Sequence, residues 1–245
     1  MKDIEKNIRL NYQFSIFGDF PNMTYDNAIA IGKLTEIFSV YGFIPTTTRG
    51  VSIIPGTINI DNRISLNSSN GWGIMLDRNR IDITIAFDEN IKEFYETSDS
   101  EIIKTMIKYM DLIIKSFDTH INRFGFNTTD ILNSKITKNI IEKYNKTTRI
   151  INYYDNKESN EWNERIVIKE DGKKLKEKIN VITNISRTKG RFQRLNKYID
   201  FNGIVLQFDI NTLPELIDFR FNKEEAKKFL DDAVKFKSDI EGNII

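Results

Sequence analysis

The sequence predicts an α+β fold made of two related halves, each an antiparallel β-meander followed by a helix packed on the sheet. Three observations predict it. Residues 80–88 and 201–209, about 120 positions apart, read alike: each is a short apolar strand ending in Phe-Asp, and each leads through a loop to an amphipathic helix beginning near Ser100 or Asn222. Short apolar runs are punctuated by Gly, Pro, Asn and Asp, the pattern of strands and tight turns. Longer segments between them carry apolar residues at helical spacing.

Residues 8–18 alternate Ile8, Leu10, Tyr12, Phe14 and Ile16 with Arg9, Asn11, Gln13 and Ser15, the period of a half-buried strand with its apolar set on one face. Asp19-Phe20-Pro21-Asn22 ends it. Ala28, Ile31, Leu34, Ile37 and Phe38 then mark a helix, with Gly42 as its stop signal. Residues 50–87 read as a meander with turns at Pro55-Gly56, Asp61-Asn62, Asn67-Ser68-Ser69-Asn70-Gly71 and Arg78-Asn79, and Asn70-Gly71 supplies the positive φ of a tight hairpin. Trp72, at the head of the next strand, suits either a sheet residue covering the core or a ring that stacks on a ligand.

Ser98-Asp99-Ser100 is an N-cap cluster, with Glu101 in the first turn. The helix it opens carries Ile102, Ile103, Met106, Ile107, Met110, Ile113, Ile114 and Phe117 on a broad apolar face and is expected to be the best buried. His120 follows its end, where a capping or solvent role fits a histidine that has no second His or Cys to work with. Residues 121–127 alternate as a further strand. Ile136, Ile140 and Ile141 sketch a weak helix in a polar stretch, and the division between halves is placed there, 1–133 and 134–245, packed together as one unit.

The second half predicts strands over 150–154, 162–169, 179–186 and 199–209. A charged tip at Glu170-Asp171-Gly172-Lys173 is read as a two-residue turn held in solvent, and residues 187–198 as a loop. The last helix, 222–240, turns Ala226, Phe229, Leu230, Ala233, Val234 and Phe236 inward, with acids early and lysines late as the helix dipole favours.

Composition excludes much chemistry. The 245 residues, 40% of them hydrophobic, suffice for a real core. With no Cys and one His, disulfides, thiolate nucleophiles, zinc-thiolate sites and His-based triads are ruled out, and no cofactor or metal is expected. The amino terminus lacks an apolar leader segment and no stretch is long and apolar enough to span a bilayer, so a cytoplasmic protein with no membrane partner is expected. Richness in Ile, Asn and Lys is what an AT-rich bacterial or phage genome produces. A net charge of +1 argues against a globally basic nucleic-acid sleeve.

The most suggestive patch is the predicted loop with Arg187, Lys189, Arg191, Phe192, Arg194, Lys197 and Tyr198: five basic side chains and no acid, interleaved with two rings, as phosphate contacts and base stacking require. A solvated loop offsetting the acids of the last helix is the alternative. A second cluster is Asp77-Arg78-Asn79-Arg80, with Arg49 and Arg63 in the same meander, although turn chemistry explains Asp77 and Asn79. The strand-end carboxylates Asp88 and Asp209 occupy related places in the repeat, but no further metal ligands accompany them. The P-loop, dinucleotide and nucleophile-elbow motifs are missing.

Ile8-Arg9-Leu10, the hairpin Ile64-Ser65-Leu66-Asn67-Ser68-Ser69-Asn70-Gly71-Trp72 with its return Arg78-Asn79-Arg80-Ile81, Asn122-Arg123-Phe124-Gly125-Phe126 and Val205-Leu206-Gln207-Phe208-Asp209 together resemble a sporadically distributed family of uncharacterised prokaryotic proteins of similar length. The resemblance spans nearly the whole chain and brings no catalytic residues with it. The family's patchy occurrence implies a role in bacterial or phage defence or anti-defence, including anti-CRISPR-like inhibition of a host immune complex. Two functions are therefore expected to compete. The first is a non-catalytic protein-binding module or inhibitor of a larger protein or ribonucleoprotein complex, leaning away from an enzyme. The alternative is an RNA- or DNA-binding protein using 187–198. Exposed sheet edges make a homodimer as natural as a monomer.

Overall fold

The computed structural model describes residues 7–54, 57–86, 98–146, 157–194 and 197–244, with side chains throughout except at 49–54, 57–61, 192–194, 197 and 199. The chain runs β1 (Ile8–Asp19), α1 (Ala28–Ser39), β2 (Phe43–Ile54), β3 (Thr57–Ser68), β4 (Trp72–Asp77), β5 (Arg80–Ala86), α2 (Asp99–Ser116), β6 (His120–Ile131), α3 (Ser134–Lys146), β7 (Trp162–Asp171), β8 (Lys178–Arg194), β9 (Lys197–Thr212) and α4 (Lys223–Gly242). The nine strands among the described residues join one antiparallel sheet in the order β2-β3-β4-β5-β1-β6-β9-β8-β7. The α+β class expected from the sequence is the class observed. No helix among the described residues is long and apolar enough to cross a membrane.

The helices α1, α2 and α4 cover one face of the sheet, and the period of two explains which side chains they meet. From β1, Tyr12, Phe14 and Ile16 point to them; so do Ile81, Ile83 and Ile85 of β5, Phe124 and Phe126 of β6, and Leu206, Phe208 and Ile210 of β9, all buried. Phe14 lies against Phe124 and Phe229, so β1, β6 and α4 meet in one aromatic column. Burying each such ring contributes roughly 2–3 kcal/mol. Ser98 caps α2 through a full capping box with Glu101, and Asn222 does the same for α4 with Glu225. Gly42, at φ 76°, ends α1 as its position in the sequence implies.

A closed ionic cluster sits on this covered face where β1 begins. Lys237 of α4, only 4% exposed, reaches Glu241 (2.6 Å), Asp99 (3.4 Å) and Asp130 (3.8 Å). Arg9 pairs with Asp99, and the Tyr12 hydroxyl donates to the same carboxylate at 3.2 Å. Burial pushes the Asp130 carboxyl up to about 6, with Lys237 opposing the shift and Glu241 adding to it. Burial alone would lower the Lys237 ammonium, but Tyr12, Asp130, Asp99 and Glu241 outweigh it and hold it above its ordinary value.

Four expectations are corrected. The β1 alternation does not keep one phase: a register shift between Arg9 and Asn11 sends Arg9 to the helices, while Ile8 joins Ile131 and Val205 on the opposite face. Asp61-Asn62 is no turn but lies inside β3, paired with Gly50 and Arg49, because the long β2·β3 register outweighs local turn preference. Asp171-Gly172 is not a two-residue turn either. Asp171 pairs with Lys178, and the intervening loop folds onto α4, where the Asp232 carboxylate accepts from the backbone N–H groups of Lys174 and Leu175 and buries Leu175. Residues 187–198 are not a loop: β8 continues to Arg194 and β9 starts at Lys197, since a basic strand whose backbone is paired along its length needs no break. The strand expected at 150–154 falls outside the described residues.

The other face of the sheet carries no helix from α1, α2 or α4. Gln13, Ser15, Asp82, Thr84, Asn127, Thr129, Gln207, Asp209, Asn211, Asn180 and Asn184 share it by register, giving a broad polar surface across the middle strands. The edge strand β7 leaves Ile166, Val167 and Ile168 exposed.

Candidate functional site

Three neighbouring strands in the middle of the sheet build the site, at the end of the open face where β1 stops and β5 and β6 start. The β5·β1 register sets Phe17 opposite Arg80, and the β1·β6 register sets it opposite Arg123. The ring is thereby flanked by two guanidiniums, with Arg123 Cζ 3.7 Å and Arg80 Cζ 5.0 Å from its centroid. Just beyond Phe17 the β1·β6 ladder shifts register. Gly18 is required there, because a Cβ would lie 1.9 Å from the His120 carbonyl oxygen. This bulge strengthens the local twist at the mouth of the site.

Arg63 of β3 completes a basic rim. With Phe17, Asn79, Asn122, Pro214 and Leu216, the three arginines surround a concave pocket of about 460 Å³. Their charges are not answered equally. Arg80 Nε donates to Asp82 at 2.8 Å, and Asp82 also accepts from Ser15 Oγ (2.6 Å) and Gln13 Nε2 (2.9 Å). Arg63 stands 3.6 Å from Asp77. Arg123 has neither a hydrogen bond nor an ion pair among the described residues. Burial and then the neighbouring Arg80 charge hold its guanidinium below its ordinary value, with Asp209 offsetting part of this at a distance. A guanidinium so placed binds an oxyanion with charge-assisted, bidentate geometry.

The segment between β9 and α4 forms a lip on this pocket. Arg220 clamps it: its guanidinium bonds Glu177 in two places (2.9 and 3.1 Å), the Asn122 carbonyl (2.8 Å) and the Leu216 carbonyl (2.9 Å). Asn122 Nδ2 donates to the Ile217 carbonyl at 3.3 Å. Leu216, Ile217 and Phe219 are left pointing into solvent, Phe219 beside the His120 ring. The pocket is therefore basic on its sheet side and apolar along the lip.

The residues singled out in the sequence scatter over the molecule. Arg80 lines the pocket, and Arg63 of the same meander joins it, whereas Arg78 is exposed at the turn, 3.6 Å from Asp19. Trp72 is 8% exposed and packs edge-on against Tyr109 of α2, the place of a residue covering the core. Arg187 is buried, bonded to Glu158 (3.0 Å) and the Ser159 carbonyl. Arg191 is paired with Asp200 at 2.6 Å, while Lys189 is exposed and Tyr198 is 70% exposed, with Arg191 over its ring at 5.6 Å. Phe192, Arg194 and Lys197 belong to the same hairpin, and their side chains lie outside the described residues. Asp209 accepts from Asn211 on the open face, and Asp88 lies outside the described residues. Phe17, Arg123 and the lip were missed. One signal was readable: Phe17 follows Ile16 directly and so breaks the alternation of β1, putting an aromatic ring on the polar face.

Comparison of this chain with models of protein families, with curated proteins and with solved structures gives no match, and what the site can do is read from its own residues.

Proposed function

We propose that this protein is a non-catalytic binding module that holds a partner protein against the open face of its sheet, as an inhibitor or adaptor in a bacterial or phage defence or anti-defence system would. The observation that carries the reading is the broad polar face that α1, α2 and α4 leave uncovered, with an arginine-lined pocket at one end of its middle strands. A polyanion needs a surplus of unanswered positive charge along its path. Here Arg63, Arg80, Arg187, Arg191 and Lys169 each have a carboxylate beside them, and the whole chain carries only +1. Mixed, mostly compensated charge with arginine at the centre is the make-up of protein interfaces.

The test is capture of tagged protein from a lysate of its natural host, with and without nuclease, comparing Thr129→Arg on the open face with Lys228→Glu on the outer side of α4. A stoichiometric protein partner that survives nuclease and is lost only with Thr129→Arg is the expected result. A partner that disappears with nuclease, or one indifferent to Thr129→Arg, overturns the reading. The first of those outcomes would favour RNA or DNA, for which exposed Lys189 and Tyr198 on the β8–β9 hairpin are the supporting observation.

We also infer that the two halves descend from a duplication. Each reads strand, helix, meander, helix, and β5 and β9, the two strands that read alike in sequence, flank the central β1·β6 pair symmetrically. This symmetry divides the chain between α2 and β6 rather than at 133/134. Superposing β1 on β6 and β5 on β9 tests it: α2 must then fall on α4, and the inference fails if it does not.

A further inference from the structure

The pocket is electrostatically unfinished at one point, Arg123, and its rim offers apolar surface at another, the lip. We propose that the pocket receives an aspartate or glutamate side chain of the partner protein, with a neighbouring apolar side chain of that partner seated on Leu216, Ile217 and Phe219; the proposal rests on the binding-module reading above.

Three observations lead to this occupant. Arg123 is stacked on Phe17 with no carboxylate in ion-pair reach among the described residues, and both burial and Arg80 disfavour its charge. An incoming carboxylate relieves both effects and finds a guanidinium whose orientation is already held by the ring, so little side-chain freedom is lost on binding. The lip exposes Ile217 at 74% and Phe219 at 57%, yet its backbone is tied down by Arg220 and Asn122. Apolar side chains held outward by such a clamp are preorganised for a hydrophobic contact. Glu215 of the same segment points to Lys169 at 3.7 Å, away from any pairing with the pocket arginines.

The number of free charges selects a protein carboxylate over a nucleic-acid backbone. Arg80 is committed to Asp82 and Arg63 stands beside Asp77, so one positive charge is left for a ligand. One carboxylate matches it. A phosphodiester chain leaving the pocket would instead run past Asp77, Asp82 and Asp19, which already answer Arg63, Arg80 and Arg78, and past Asp209, so successive phosphates would meet no surplus of positive charge. The apolar lip likewise suits Leu, Ile, Met or Phe better than a sugar.

The experiment pans a random-peptide display library on the full-length protein and on Arg123→Gln. Wild type is expected to enrich peptides with Asp or Glu next to a large apolar residue, and Arg123→Gln to lose that consensus. A synthetic peptide of the enriched sequence should bind at least about 30-fold more weakly when its acid is changed to the amide or when Arg123→Gln is the receptor, a loss in the range of an interface anchor. Ile217→Ser should weaken it separately, and thermal unfolding of both variants shows whether they are folded. Enrichment without an acidic position, no enrichment over the bare support, or an oligothymidylate that competes for the site in an Arg123-dependent way overturns the proposal. Partner capture abolished by Thr129→Arg but untouched by Arg123→Gln would leave the binding face standing and remove this inference alone. Capture indifferent to both removes the two together.

Discussion

On the helix-covered face of β1 and β6, Arg9, Tyr12, Asp99, Asp130, Lys237 and Glu241 form one ionic cluster; on the open face of the same two strands, with β5, lie Phe17, Arg80 and Arg123. Both groups sit next to a register shift of the β1·β6 ladder, one at Arg9/Asn11 and one at Phe17/Gly18. They differ in closure. In the inner cluster each cation touches a carboxylate, and α2 and α4 supply the charges that complete it. In the outer one Asp82 completes Arg80 and nothing in the described chain completes Arg123. A charge group closed from within holds the fold together, whereas one with a charge left over is available to something else.

The comparison is tested most severely by Lys237→Met. Removing the buried ammonium leaves Asp99, Asp130 and Glu241 facing one another with only Arg9 nearby, and loss of one member of a buried ionic group costs about 3–5 kcal/mol. Urea denaturation should show that loss, while the folded fraction still captures partner as the wild type does. A variant of unchanged stability would mean that the inner cluster is not closed by Lys237.

Arg123→Glu makes the opposite trade. Capture should fall by about 100-fold, close to 2.7 kcal/mol, while stability changes by no more than about 1 kcal/mol, the scale of a lost contact between a cation and a ring. Titration of labelled partner alongside urea denaturation separates the two effects. Equal losses in both would show that Arg123 is structural and would erase the distinction between the faces.

How much of this was legible in the sequence depended on the range of the interaction. The N-cap at Ser98, the start of the last helix at Asn222 and the stop at Gly42 are local, and each is where the sequence implies, whereas the alternation of β6 changes phase between Ile121 and Phe124 at the bulge. The meander between β2 and β5 was legible, but the turn assigned to Asp61-Asn62 was not correct, since pairing along the whole hairpin decides that stretch. The basic run at 187–198 looked like a site because neither Glu158 nor Asp200 is inside it; only the fold brings them to Arg187 and Arg191. The pocket failed the other way. Phe17, Arg63, Arg80 and Arg123 come from four strands, and no spacing rule joins residues 17, 63, 80 and 123 before the strand order is known.

A smaller effect reports on the inner cluster through pH. Asp130 titrates near 6 in the folded protein against an ordinary 3.8, so between about pH 4 and pH 6 the folded state holds a proton that the unfolded state has released. The stability this contributes is present in full below pH 4 and is lost as pH rises through 6. Asp130→Asn cannot titrate, so the stability of wild type minus that of the variant should fall by at most about 3 kcal/mol across the window. Urea midpoints at several pH values measure it. Parallel profiles would show that Asp130 is not buried with its charge in the cluster, and the inner face would then be less closed than the outer.

The smallest effect concerns a pair that resembles neither cluster. Arg191 and Asp200 bond at 2.6 Å across the β8–β9 hairpin, both more than half exposed, so solvent screens their attraction and either side chain hydrates freely when the other is removed. Arg191→Ala should therefore leave the urea midpoint where it is, and because the pair already answers its own charge it should leave partner capture unchanged as well. The double variant with Asp200→Ala should match the single one. If Arg191→Ala weakened capture while Arg191→Ala with Asp200→Ala restored it, the exposed aspartate would be acting as a repulsive charge at the interface. The docking surface would then extend along the hairpin to Tyr198, and closure of charge would no longer separate structural arginines from binding ones.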